Sequence, residues 1–432
     1  MGRIVIVGGG WAGAAAALAA VYTGTEVILL ERTDLLLGTG LVGGIMRNNG
    51  RFTATEEMIA LGAGDLFKLV DQTARHRNIY FPGHNHATLY DIHSIEPAVR
   101  KLLMNSGVSL RFLSRVTGVK QESGKIQEVI VEKGETITGD VFVDATGTAG
   151  PMGHCRKFGN GCAMCALRCP SFGGRISLSD LAGVSEITDL RPGGRCGSMS
   201  GSFIVNKHSL STELIRELNE KGYAVIPVPP SLQKADTLSR KACQQYALPE
   251  YVENVILLDT GQAKLMAPFF PLERLRQIAG LENARIEEPY AGGIGNSIRF
   301  LSHPLRNDAL QVEGMKNLFC AGEKAGLLVG HTEAIVTGSL AGHNAARYLA
   351  GSLLLELPSC LACGDLIRYV REQMCTPEGR LNKYTFSGSV YFQRMVERQS
   401  YSTDVDAIVR RVTDSGLEGV FRRPISPAKH NS

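Results

Sequence analysis

Hydrophobic positions open the chain in a single short run, RIVIV over residues 3–7. It is too short for a helix and ends in glycines, which predicts a strand buried on both faces. Small apolar residues follow from Ala14 to Tyr22, AAAALAAVY, and predict a helix able to lie close to a sheet. EVILLER, residues 26–32, predicts a second buried strand, so residues 3–31 read as one βαβ unit. From 33 to 92 the patterning is irregular. SIEPAVRKLLMNSG, residues 94–107, predicts a helix. Next comes a strand ending at Val116, then a small meander with turns at Ser123-Gly124 and Lys133-Gly134. The apolar strand VFVDA then runs into Thr146-Gly147. Residues 171–310 mix strand and helix patterns. Glu333 to Arg347 carries small and apolar residues at helical spacing. From about 351 the pattern is helical, and the polar end PISPAKHNS is expected to be disordered.

These elements predict an α/β fold: a Rossmann-like domain with a parallel sheet and a β-meander, an inserted α+β substrate domain and a helical C-terminal extension. A chain of 432 residues is too long for one compact core. The expected division is 1–150 with 311–350 as the nucleotide-binding domain, 151–170 as a cysteine segment, 171–310 as the insert and 351–432 as the extension.

The first turn carries chemistry. Gly8, Gly10 and Gly13 fit G-x-G-x-x-G directly after a strand and at a helix start, with Trp11 and Ala12 between them. Gly8 permits the turn, Gly10 lets a pyrophosphate approach the backbone, and Gly13 lets the helix pack on the strand. The amides at the helix start face the phosphates. Glu31, at the end of the second strand and followed by Arg32, can accept hydrogen bonds from an adenosine ribose. The bland alternative is a glycine-rich turn without a ligand.

Other stretches say less. GTGLVGGIM, residues 38–46, can pass close to a ligand or be a plain loop. His76, His84, His86 and His93 lie in loop-like sequence without partnering carboxylates, so surface or substrate-facing histidines are expected rather than metal ligands. Arg274 and Arg299 are candidate anion anchors, although surface salt bridges are the commoner fate of arginine.

With Gly8/Gly10/Gly13 and Glu31, then Ala145-Thr146-Gly147, then Gly322-Glu323 after the late strand in NLFCAGEKAGLLVGHTEAIVTGSLAGHNAAR, the chain resembles the flavoproteins with two dinucleotide-binding domains. The resemblance implies FAD, with Glu323 on the ribityl chain, the helix opening at Thr332 to Ala334 facing the flavin ring, and the backbone at Val116 contacting the adenine. GLENARIEEP from Gly280, together with that late helix, is similar to the glucose-inhibited division protein A and folate/FAD-dependent tRNA methyltransferase group. Those proteins modify uridine in RNA. The middle of the chain departs from them.

HCRKFGNGCAMCALRCP, residues 154–170, places Cys155, Cys162, Cys165 and Cys169 in C-x6-C-x2-C-x3-C-P. Ferredoxin-type runs share its last three cysteines and proline. Four thiolates suit a [4Fe–4S] cluster or tetrahedral zinc. The segment follows the Ala145-Thr146-Gly147 turn, so a cluster here could exchange single electrons with a flavin, which also handles pairs. Cys360-x2-Cys363 could supply a second zinc knuckle. Cys320 is expected to be buried, and Cys243 and Cys375 incidental.

Net charge is +4 and the basic residues are dispersed, which does not argue for nucleic acid. The N-terminus starts directly with a strand, and the longest apolar run is far too short to span a bilayer. A cytoplasmic protein without membrane contact is expected, where clustered cysteines mean metal or redox chemistry more often than disulfides. The favoured expectation is an FAD-dependent iron–sulfur oxidoreductase passing electrons between cluster and flavin. Its partner would be a small-molecule substrate or a donor protein such as a ferredoxin, with transient NAD(P)H allowed. The alternative is a folate- or NAD(P)H-using, FAD-dependent enzyme that modifies uridine in tRNA or rRNA. A homo-oligomer is compatible with both. Candidate catalytic residues are Cys196, in the glycine-rich GGRCGSMSG, and His331 and Glu333 near the expected flavin edge.

Overall fold

The computed structural model describes residues 2–147, 171–189, 198–199, 203–233, 248–266, 270–287, 298–299 and 301–425. RIVIV forms β1 (Arg3–Val7), the alanine-rich run forms α1 (Trp11–Val21), and EVILL forms β2 (Glu26–Leu30). They belong to a five-stranded parallel sheet in the order Leu318–Cys320, Val141–Asp144, β1, β2, Ser109–Arg111. The chain builds outward from β1 on one side, then returns to add strands on the other. The order therefore reverses between β1 and Val141–Asp144, and a crevice opens at the carboxyl ends of these strands.

The long helix His331–Leu349 packs against α1 at very close range. A Cβ added at Gly338 would overlap the carbonyl oxygen of Ala12, and one at Gly342 would overlap that of Ala16. The small-residue spacing of both helices is thus spent on each other. Main-chain groups approach where larger side chains would hold helix axes about 8–10 Å apart.

Three local readings change. The strand expected to end at Val116 stops at Arg111, and Leu113 takes a positive φ of 53°. Val116 instead begins the meander Val116–Glu122, Lys125–Val131, Thr136–Thr138. The irregular stretch 33–92 contains the helices Gly50–Ala60 and Asp65–Gln72 and a hairpin, Ala74–Phe81 with His84–Tyr90. His76, His84 and His86 therefore sit on strands rather than in a loop, and His93 lies in the turn that follows. Register shifts between the two strands hid the alternation. His84 is buried, with Nδ1 2.9 Å from Asn48 Nδ2.

Between Val141–Asp144 and Leu318–Cys320 the chain forms a four-stranded antiparallel sheet in the order Phe203–Val205, Ala263–Leu265, Asn254–Asp259, Tyr223–Pro227. This sheet has its own core around Leu218, Leu257, Leu265 and Leu275. The hairpin is tied to this sheet through Asp259, which meets His76 Nε2 at 2.9 Å, Arg75 Nε at 3.0 Å and Lys207 Nζ at 2.9 Å. Burial alone would raise the Asp259 pKa, but these donors outweigh it and hold the carboxyl well below its usual range. The C-terminal helices Ala362–Met374, Ser389–Glu397 and Val405–Asp414 send Leu366, Tyr391 and Val412 into the main core. Among the described residues, no helix is long and apolar enough to cross a membrane.

Candidate active site: a cleft across the parallel sheet

The turn after β1 opens the site. Gly8 has a φ of +106°, which disfavours any side chain, and a Cβ there would overlap the Ala145 carbonyl oxygen. A Cβ on Gly13 would overlap the Gly8 carbonyl oxygen, so this glycine closes the turn against the helix. A Cβ on Gly10 would meet nothing within 4 Å. That open space lies at the N-terminus of an 11-residue helix with no side-chain cap and no acidic residue in its first turn. Its amides and dipole are therefore available to an anion. Glu31 is oriented rather than loose: Oε2 accepts from the Gly9 amide at 2.8 Å, and Oε1 accepts from the Thr33 amide at 2.9 Å.

From this turn a cleft runs across the sheet. Gly8–Ala12, Glu31, Arg32 and Val116 line it, as do Ala145–Gly147, Gly322, Glu323, His331 and Ala334. β2 and Leu318–Cys320 are three strands apart, which places Glu31 and Gly322 roughly 14 Å from each other. The cleft thus has a near end at Glu31 and Val116 and a far end at Glu323 and His331. Its shape and donors fit FAD: room and free amides for a pyrophosphate at Gly10, an oriented carboxylate at one end and a wide apolar wall at the other.

The far end draws on distant segments. Gly43 abuts the His331 ring, and Lys264, Met266, Val329 and Arg51 complete the wall. The Tyr90 hydroxyl donates to the Gly40 carbonyl oxygen at 2.7 Å, and His331 Nδ1 lies 3.2 Å from the Tyr90 oxygen. A phenol has one proton. With that proton given to Gly40, Nδ1 must carry the hydrogen of the His331 contact, which leaves Nε2 as the nitrogen that gains or loses a proton.

Glu333 sits differently. It is fully buried and does not line the cleft. It accepts from Arg51 Nε at 3.1 Å, from Thr385 Oγ1 at 2.7 Å and from the Phe386 amide at 2.8 Å. This carboxylate braces the first turn of the late helix against residues 385–386, and it is no acid–base group at the flavin edge. Thr332 is buried behind the wall as well. Cys320 is buried on its strand, donates to the Leu310 carbonyl oxygen at 3.6 Å, and has its thiol pKa pushed up to about 12 by burial. Cys363 is buried with a raised pKa, chiefly from desolvation, and donates to the Ala54 carbonyl oxygen, whereas Cys360 is exposed. No cysteine lines the cleft among the described residues. Cys155, Cys162, Cys165, Cys169, Cys196 and Cys243 lie outside the described residues. Arg51, Tyr90 and Lys264 join the far end without a motif in the sequence to mark them. Lys264 had a signal: one lysine inside the short apolar run AKLM.

Parallel sheet, crevice position and glycine turn together define the class, an FAD-type flavoprotein. The family model for "Glucose inhibited division protein A" matches residues 3–257 and 261–352, and the chain belongs to that family. Two crystal forms of Aquifex aeolicus GidA share the fold. Form II superposes with a TM-score of 0.69 at 17% identity, over 96% of this chain and 73% of that one. Form I gives 0.67 at 17%, over 98% and 78%. A methylenetetrahydrofolate–tRNA-(uracil-5-)-methyltransferase of Bacillus cytotoxicus is 37% identical over 99 residues, 23% of this chain and 22% of the relative. One from Fervidobacterium nodosum is 31% identical over 97 residues, 22% of each. The matched stretch thus spans about a fifth of these curated relatives.

Family membership corrects the expectation built on the cysteine run. The chain belongs with glucose-inhibited division protein A, and its curated relatives are named for tRNA modification. An iron–sulfur electron relay is overturned on that finding. Among the described residues, no group of three or more His, Cys, Asp or Glu is arranged to hold a metal.

Proposed function

We propose that this protein is an FAD-dependent enzyme that modifies uridine in tRNA, placing a methyl group on the base with a methylenetetrahydrofolate as one-carbon donor. The observation that carries the reading is the family match over most of the chain, joined to a cleft whose near end suits an adenine dinucleotide. The tRNA methyltransferase relatives supply the substrate class.

In this reading Gly10 and the amides of Trp11 and Ala12 bind the pyrophosphate, and Glu31 holds the ribose. Val116 lies against the adenine, while Gly322 and Glu323 hold the ribityl chain. A methylene unit is two electrons short of a methyl group, and FAD held by these residues would supply the missing hydride in its reduced form. The chain's own task is to position and to move protons. Attaching a carbon to C5 of uracil requires the C5 proton to leave. His331 Nε2, the ring nitrogen that is not tied to Tyr90, is the group at the far end proposed to accept it. Burial of Tyr90, the main cause of its raised pKa, keeps that phenol protonated and the tautomer fixed. Activation of the uracil ring also needs a nucleophile, for which Cys196 is the proposed thiol.

The test is direct. Purified protein is incubated with FAD, NAD(P)H, methylenetetrahydrofolate and unmodified tRNA, and the digested nucleosides are analysed by mass spectrometry. Methylated uridine is expected, falling by at least about a hundredfold in His331→Ala. Flavin-replete protein that leaves every uridine unchanged, in tRNA and in rRNA, would overturn the proposal.

A further inference from the structure

The hairpin Ala74–Phe81 with His84–Tyr90 carries a composition that the cleft does not use. From Ala74 to Tyr90 there are two arginines, three histidines and no acidic residue. Its base is fixed by the ion pairs to Asp259, and its tip by the Tyr251 hydroxyl, which donates to the Pro82 carbonyl oxygen at 2.9 Å. The strand pattern breaks in the outer half. A register shift between His76 and Ile79 leaves Arg77 and Tyr80, three positions apart, both exposed. Tyr80 is 53% exposed and is the one exposed aromatic residue among those described. Its ring leans on His86 with centroids 5.6 Å apart, and Phe52 supports the same imidazole at 5.5 Å. Asn78 and His86 both hold a positive φ, 52° and 60°, and Asn78 Oδ1 meets His86 Nδ1 across the hairpin at 2.8 Å. Strained backbone locked by its own side chains is kept where a surface has a task. Arg77 donates to the Asp71 carbonyl oxygen and forms no ion pair among the described residues. An exposed phenol ring backed by an imidazole, beside a guanidinium, is a surface on which an unpaired base stacks while its phosphate meets the cation. The inner strand of the hairpin ends at Tyr90, whose oxygen lies 3.2 Å from His331 Nδ1 and which stands about 14 Å along the strand from His86. Nucleotides beside a uridine held at the far end are therefore within reach of Tyr80.

We propose that Tyr80, backed by His86, is a stacking platform for an unpaired base of the RNA substrate, with Arg77 on the adjoining phosphate, so that the hairpin holds the single-stranded neighbourhood of the target uridine. This rests on tRNA being the substrate. Every base has a stacking face, so the platform supplies affinity and register while the far end of the cleft selects the uracil.

The test uses the full chain loaded with FAD and an unmodified tRNA, with affinity read by fluorescence anisotropy over a series of salt concentrations. Tyr80→Ala should lose about tenfold or more in tRNA affinity while keeping its FAD content and its melting temperature. Tyr80→Trp should stay within about threefold of wild type, because stacking needs a ring and not a hydroxyl. Arg77→Gln should lower the slope of log affinity against log salt by about one, the signature of one lost phosphate contact. Tyr80→Ala that binds tRNA as tightly as wild type overturns the proposal and leaves this face to a protein partner. Equal losses in Tyr80→Ala and Tyr80→Trp also overturn it, since the ring would then act through packing and not through a base. Wild-type protein that holds FAD but binds neither tRNA nor rRNA overturns the uridine-modification reading itself, and this inference falls with it.

Discussion

The two ends of the cleft are built in opposite ways. The near end comes mostly from one contiguous stretch, Val7 to Glu31, where a strand, a turn and a helix start place every group by local geometry. The far end gathers residues 38–51, Tyr90, Lys264–Met266, 322–334 and 385–386, and a buried ion pair spans 282 positions. A site made locally inherits its precision from backbone rules. One made from distant segments has to be held by buried polar contacts, and its tuning is free to vary with whatever is inserted between them.

The strongest way to break this contrast is Glu333→Ala. It leaves Arg51 buried without its carboxylate, and removing one partner of a buried pair costs about 3–5 kcal/mol. Urea unfolding should show that loss, and a paired Arg51→Met/Glu333→Leu variant should recover much of it. Gly13→Ala strikes the near end instead. Its methyl must displace the Gly8 carbonyl, an overpacking cost of about 1–3 kcal/mol, and FAD content per chain should fall while the insert's sheet keeps its circular dichroism.

A pH series sharpens the comparison. His303 lies close to Lys324, beside Glu323 of the far end, and burial together with the Lys324 and Arg306 charges lowers its pKa to about 3. The folded ring therefore stays neutral where the unfolded one, near 6.5, takes up a proton. Stability should drop as pH falls from about 6.5 towards 3, by about 1.4 kcal/mol per unit from this residue, and His303→Gln should flatten the slope. The smallest effect is expected from Glu31→Gln at the near end. One acceptor oxygen remains for Gly9 or Thr33, so FAD affinity should weaken by about tenfold, roughly 1.4 kcal/mol, with the unfolding midpoint nearly unchanged. Equal losses from Glu333→Ala and Glu31→Gln would erase the distinction between the two ends.

The same contrast explains what was legible in the sequence. Gly8, Gly10, Gly13 and Glu31 could be read because a switch from strand to helix periodicity brackets them. Ala145–Gly147 and Gly322-Glu323 could be read because each follows an apolar strand. The hairpin at 74–90 could not, since its register shifts break the alternation and Pro82-Gly83 resembles loop sequence. From sequence Glu333 reads as a group at the flavin edge because its partners, Arg51 and residues 385–386, are invisible at local range. The cysteine run misleads because spacing alone describes several chemistries, and the family to which the chain belongs points to a different one.

The interlocked glycines of the late helix set an order of events during synthesis. β1 and α1 leave the ribosome before the neighbours that cover them, the strand at 141–144, the strand at 318–320 and the helix that ends at Leu349. The phosphate-binding turn therefore waits, half covered, until the chain has been translated through Leu349. An early stretch of the nascent chain is sealed late, and cofactor capture follows the docking of that helix.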